Sequence, residues 1–142
     1  MKLTSKIFVV FLIVITNFIF FSCASIKTSK IPDEAALRNN ITIVWDAKLN
    51  NDFGKIYDLT TDAYKQKVSK DKFGSSNVKI NKYNISKIEL LDEGKKAKVF
   101  VDFTVNQMGN DFPFSLNEDW IVENGSWKLD IQPSAGGKPL LN

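Results

Sequence analysis

Glu118 is the side chain best placed to do chemistry, because it interrupts an otherwise apolar face. Phe112, Phe114, Leu116, Trp120 and Val122 alternate along one stretch, and Glu118 falls on their parity. Alternate residues of a strand share a face, so the carboxylate turns inward with them. An ionised carboxylate in apolar surroundings is costly unless a partner compensates it. Two readings follow. Glu118 is the polar group at the base of a pocket lined by Phe103, Phe114 and Trp120, or it sits near the sheet's rim, is wet, or pairs with a lysine. Asp102 and Asp119 have the opposite parity, share the outer face with lysines and read as solvated.

What the chain lacks narrows the chemistry further. It contains no histidine, which excludes Ser-His-Asp and Cys-His nucleophilic sites and removes the commonest transition-metal ligand. Its seven glycines are scattered or lie at turns and in the tail, so there is no phosphate-cradling loop. No metal site and no cofactor are implied, and no residue is assigned a catalytic role. Trp45, Trp120 and Trp127 read as core, with lining of a ligand cavity as the alternative. The Asn-x-Ser/Thr triplets at Asn40, Asn84 and Asn124 are not informative about chemistry.

The second reactive group is Cys23, the only cysteine, which therefore forms no disulfide within the chain. It follows a cationic start (Lys2, Lys6), an apolar run over 7–21 and the small residue Ser22. That run is about 15 residues long, short of the roughly 20 that a membrane-spanning helix needs. It reads as a secretion signal, and the junction resembles a bacterial lipoprotein signal in which the cysteine becomes the acylated first residue. Two alternatives stand beside it: cleavage after Ala24 with loss of Cys23, or an uncleaved anchor. The resulting organisation is a signal over 1–22, a lipidated cysteine and tether over 23–32, one domain over 33–132 and a loose tail over 133–142.

Charge excludes one class of partner. The formal net charge of +3 includes the two leader lysines; without them 17 basic residues face 16 acidic ones. A nucleic-acid binder concentrates a basic excess on one face. Here Lys65, Lys67, Lys70 and Lys72 are interleaved with Asp62 and Asp71, which describes a solvated helical surface.

The elements that must position Glu118 are legible in the spacing. Asp33 caps a helix whose first turn holds Glu34, and Leu37, Ile41, Val44, Trp45 and Leu49 recur as one apolar stripe. Asn50-Asn51-Asp52 interrupts it. A short helix with Phe53, Ile56 and Tyr57 inward follows, then a third, capped by Thr61, with Ala63, Tyr64 and Val68. Ser69 opens a last turn ending at Phe73-Gly74, and the period switches from helical to alternating across 74–77.

Four strands are expected, over 78–91, 96–105, 112–123 and 127–131. In the first, apolar parity shifts between Ile85 and Ile88, which predicts a bulge. Asn124-Gly125 between two alternating runs is a strong hairpin signal; it pairs Val122 with Trp127 and Trp120 with Leu129. A turn over 92–95 sets Glu89 opposite Lys98. If Val105 opposes Phe112, Ala97 opposes Trp120 and Val99 opposes Glu118. Every pairing agrees on one buried face.

Helices followed by an antiparallel meander with one apolar face imply an α+β domain, the helices packed on that face of a curved four-stranded sheet. With Trp45, Asn51-Asp52, Tyr57, Tyr64-Lys65 and Val68-Ser69 in the helical half, and 118–129 as a closing hairpin with Trp127-Lys128 after its turn, the chain resembles the NTF2-like (SnoaL-like, cystatin-like) cone superfamily over 32–131. That resemblance implies a cone-shaped domain found in ketosteroid isomerase, in non-catalytic ligand binders and in small lipoproteins; it also implies pairing of sheets into homodimers. The expectation is a lipid-anchored envelope protein facing outside the cytoplasm, whose non-enzymatic domain binds a small apolar or amphipathic ligand through Glu118, Trp120, Phe114, Phe103 and Trp45. The alternatives are an isomerase- or dehydratase-like enzyme with Glu118 as base and Tyr57, Tyr64 or Tyr83 as its partner, and a purely structural envelope component.

Overall fold

A computed structural model describes residues 31–74 and 78–132. The signal, Cys23, the tether over 25–30, part of the expected switch segment and the tail from Pro133 lie outside the described residues. Among the described residues the fold is α+β: three α-helices on the amino-terminal side, then a four-stranded antiparallel sheet whose strands lie side by side in chain order.

Each helix begins where a short polar side chain can replace a missing backbone acceptor. Helix α1 (Glu34–Leu49) is capped by Asp33, whose Oδ1 accepts from the Ala36 N–H at 2.9 Å. Helix α2 (Phe53–Asp58) is capped by Asp52, read from the sequence only as an interruption. Thr61 caps α3 (Asp62–Lys67), accepting from the Tyr64 N–H at 3.2 Å. The α1 stripe is buried as expected at Leu37, Ile41, Val44 and Trp45. Ala63, expected inward on α3, is exposed; a helix of six residues turns only Tyr64 to the core. Phe73 closes this layer, meeting the edges of the Tyr57 and Tyr64 rings.

The strands are β1 (Lys79–Leu91), β2 (Lys96–Gln107), β3 (Asn110–Glu123) and β4 (Ser126–Leu129). The expected register holds throughout: Glu89 faces Lys98, Ala97 faces Trp120, Val99 faces Glu118, Val105 faces Phe112, Trp120 faces Leu129 and Val122 faces Trp127. The bulge expected between Ile85 and Ile88 is present, with a second shift between Ile80 and Lys82. Extra residues of this kind bend a long strand, and together they keep Ile80, Tyr83, Ile85 and Ile88 on the face of Val105, Phe103, Val101 and Val99.

Several strand ends differ from expectation by one or two residues. The β2–β3 pair runs on to Gln107 and Asn110, closed by a two-residue turn in which Met108 (φ 52°) and Gly109 (φ 84°) are both left-handed. Strand β4 stops at Leu129, whose N–H turns away from the sheet to the Leu59 carbonyl. Because β4 pairs only with Trp120–Glu123, the earlier part of β3 is a sheet edge. Phe112 and Phe114 therefore share the parity of the core face yet stay about half exposed.

Candidate functional site

Helix α1 and strand β3 bring Lys48 and Glu118 together. Lys48 follows Trp45 by one helical turn, so it prolongs the buried stripe rather than pointing to solvent. Its Nζ lies 2.5 Å from Glu118 Oε1, and both side chains are under a tenth exposed. The ammonium also sits 4.0 Å from the centroid of the Trp45 ring, where the indole face attracts a cation.

The other carboxylate oxygen is held by tryptophans. Trp45 Nε1 donates to Glu118 Oε2 at 3.3 Å, and Trp120 Nε1 donates to the same oxygen at 3.4 Å. An ionised carboxylate offers roughly four acceptor sites, and three are engaged. Of the two readings of Glu118, inward orientation and pairing with a lysine both hold. Lys48 was not singled out from the sequence, although its place on the stripe is the signal that finds it.

This cluster forms part of the wall of a cleft of about 650 Å³, a volume in the range of small-molecule sites. Phe53 and Ile56 of α2 and Phe73 beyond α3 line it on one side, and Phe103, Phe114 and Leu116 of the sheet on the other. Phe114 stacks on Phe103 with ring centroids 5.7 Å apart and planes 24° apart. Trp45 and Trp120 are fully buried and lie behind Glu118, outside the lining. They act on the cleft through lining residues they touch: both hold the Glu118 carboxylate, and Trp45 also backs Lys48 and packs against Phe103 with ring centroids 5.3 Å apart. Trp127 is equally buried and donates its indole N–H to the carbonyls of Pro32 and Asp33, which pins the entry of α1.

The tyrosines considered as partners of Glu118 are engaged elsewhere or set apart. Tyr57 donates to the Val68 carbonyl at 2.9 Å, and Tyr83 to Asp46 Oδ1 at 2.8 Å. Burial, then the hydrogen bond to Asp46, pushes the Tyr83 hydroxyl up to about 12; burial likewise raises that of Tyr64. None of the three lines the cleft. Among the described residues, no group of three or more His, Cys, Asp or Glu side chains could hold a metal ion, and no helix is long and apolar enough to cross a membrane.

No protein-family model matches this chain, and no curated protein matches it.

Proposed function

We propose that this chain is a lipid-anchored protein of the bacterial envelope, held at Cys23, whose NTF2-like domain binds a small apolar or amphipathic ligand in the cleft beside Lys48 and Glu118. The observation that carries the binding reading is the cleft itself: about 650 Å³, aromatic and aliphatic on both walls, with the Lys48–Glu118 ion pair in one wall and Asp119 and Asp130 also on its lining. Such walls favour a largely apolar guest without negative charge, because Lys48 is already paired with Glu118 and the remaining charged groups on the lining, Asp119 and Asp130, are carboxylates.

The same pairing weighs against an enzyme that uses Glu118 as base. A general base needs a lone pair directed at the proton it removes, and three of the roughly four acceptor sites of Glu118 are already taken by Lys48, Trp45 and Trp120. The NTF2-like assignment rests on the α+β order, the bent sheet and the Trp127-Lys128 closing hairpin. The anchor rests on the leader pattern ending at Ser22-Cys23.

Two measurements test this reading. Titration with the neutral dye N-phenyl-1-naphthylamine is expected to give saturable, near-stoichiometric binding, and native mass spectrometry a matching one-to-one adduct. Fluorescence that rises without saturation would overturn the ligand site. For the anchor, Cys23→Ala in a bacterial host is expected to lose metabolic lipid label and to leave the membrane fraction. Unchanged partition and an unlabelled parent chain would remove it.

A further inference from the structure

The sheet has a second apolar surface, far from the cleft's Phe114 and Gln107. Where β1 turns into β2, Leu90 and Leu91 are 45% and 47% exposed, and Ile31 is 39% exposed. Leu90 pairs with Ala97 and Leu91 with Lys96, so the two leucines point to opposite faces of the sheet's tip. Ile31 joins them: its Cγ2 lies 3.7 Å from where a Cβ on Gly94 would stand. The chain thus enters the domain beside this turn. The charges of the tip cancel locally, Lys96 pairing with Asp92 and Lys95 with Glu93.

We propose that this tip, made by Ile31, Leu90 and Leu91, is a membrane-seating surface that rests on the lipid to which the chain's own amino-terminal segment is attached. The proposal depends on the lipid-anchor reading above. Its occupant follows from tether length. From Cys23 to Ile31 the chain can extend at most about 28 Å. Strand β2 holds 12 residues and is about 40 Å long at roughly 3.3 Å per residue. With Met108 at the lipid and the domain upright, Ile31 would stand farther from the bilayer than the tether reaches. The tip is therefore the end held at the membrane, and three half-exposed aliphatic side chains with no net local charge suit an interfacial seat. Seated this way, the far end of the sheet, which gives Gln107 and Phe114 to the cleft, is directed away from the bilayer.

The test uses the full chain, processed in a bacterial host and reconstituted in vesicles of phosphatidylethanolamine and phosphatidylglycerol. An acylated Cys23 does not react with thiol reagents, so a cysteine placed by Lys95→Cys at the tip, or by Met108→Cys at the far end, takes a single nitrobenzoxadiazole probe. The tip probe is expected to emit to the blue of the far probe and to be quenched at least threefold more by lipids brominated in their acyl chains. Adding Leu90→Ser and Leu91→Ser to the Lys95→Cys chain is expected to abolish that excess while membrane partition persists. Equal, water-like emission at both positions in membrane-bound chain overturns the seating surface and leaves the anchor standing. Labelling of the parent chain through Cys23 overturns the anchor first, and the seat with it.

Discussion

Lys48 at the end of α1 and Glu118 in the middle of β3 form an ion pair across a sequence separation of 70 residues. Removing either partner strands the other's charge in a site less than a tenth exposed, and breaking a buried pair in this way costs about 3–5 kcal/mol. The cleft admits some water, so Glu118→Gln and Lys48→Met are each expected to cost about 3 kcal/mol in urea unfolding. The double variant Lys48→Met with Glu118→Leu removes both charges and is expected to cost less than either single change. Additive losses would show that the two groups do not depend on each other.

Phe114 offers a way to separate binding from stability. Half exposed at the sheet edge and stacked on Phe103, it contributes to the cleft wall more than to the core. Phe114→Asp puts a charge beside the guest and is expected to weaken N-phenyl-1-naphthylamine binding at least tenfold. The loss of folding stability should stay within about 1 kcal/mol. Leu91→Asp, at the other end of the sheet, should leave dye binding unchanged. Equal effects of the two changes would place the dye outside the cleft.

Local pattern carried much of this architecture, and the reasons show where it stops. The β2–β3–β4 register was readable because a one-residue slip would turn Val99, Trp120 and Leu129 to solvent, so one buried face leaves a single solution. The bulge after Ile85 announced itself as two inward residues, Ile85 and Ile88, three apart. Ile80 and Tyr83 carry the same three-residue step, and the second bulge lies there. The exposure of Phe112 was not readable, because alternation gives the face of a strand but not how far the neighbouring layer extends. At Glu118 the sequence supplied the carboxylate and its direction. Its partners Lys48 and Trp45 come from a helix whose position over the sheet only the fold provides.

The turn at Met108-Gly109 is a case where sequence and geometry disagree. Asn124-Gly125 and Met108-Gly109 both hold two left-handed residues in succession, but only the first has the residue type suited to it. Methionine pays a steric penalty at positive φ that asparagine largely escapes. With its side chain fully exposed, Met108 gives up no packing when replaced. Met108→Asn is therefore expected to stabilise the fold by about 0.5–1 kcal/mol, seen as a higher midpoint in urea. An unchanged or lower midpoint would mean that the turn relaxes in solution.

Tyr83 makes stability depend on alkaline pH in a definite direction. Its hydroxyl donates to Asp46 Oδ1 at 2.8 Å, and its ring packs 5.5 Å from that of Trp45. Burial and the adjacent Asp46 carboxylate disfavour the phenolate, raising the group from 10.0 to about 12 in the folded chain. A folded value above the unfolded one means that the unfolded chain releases the proton first. The contribution is complete below pH 10 and drains away as pH rises towards 12. The melting temperature of the parent should fall across that interval, with lysine deprotonation adding a background common to any variant. Tyr83→Phe has no proton to lose and forgoes the Asp46 hydrogen bond at every pH. It should start less stable than the parent at pH 8 and lose less between pH 10 and 12, so that the two curves converge. Parallel curves over that interval would mean that the hydroxyl of Tyr83 is not held against Asp46 in solution.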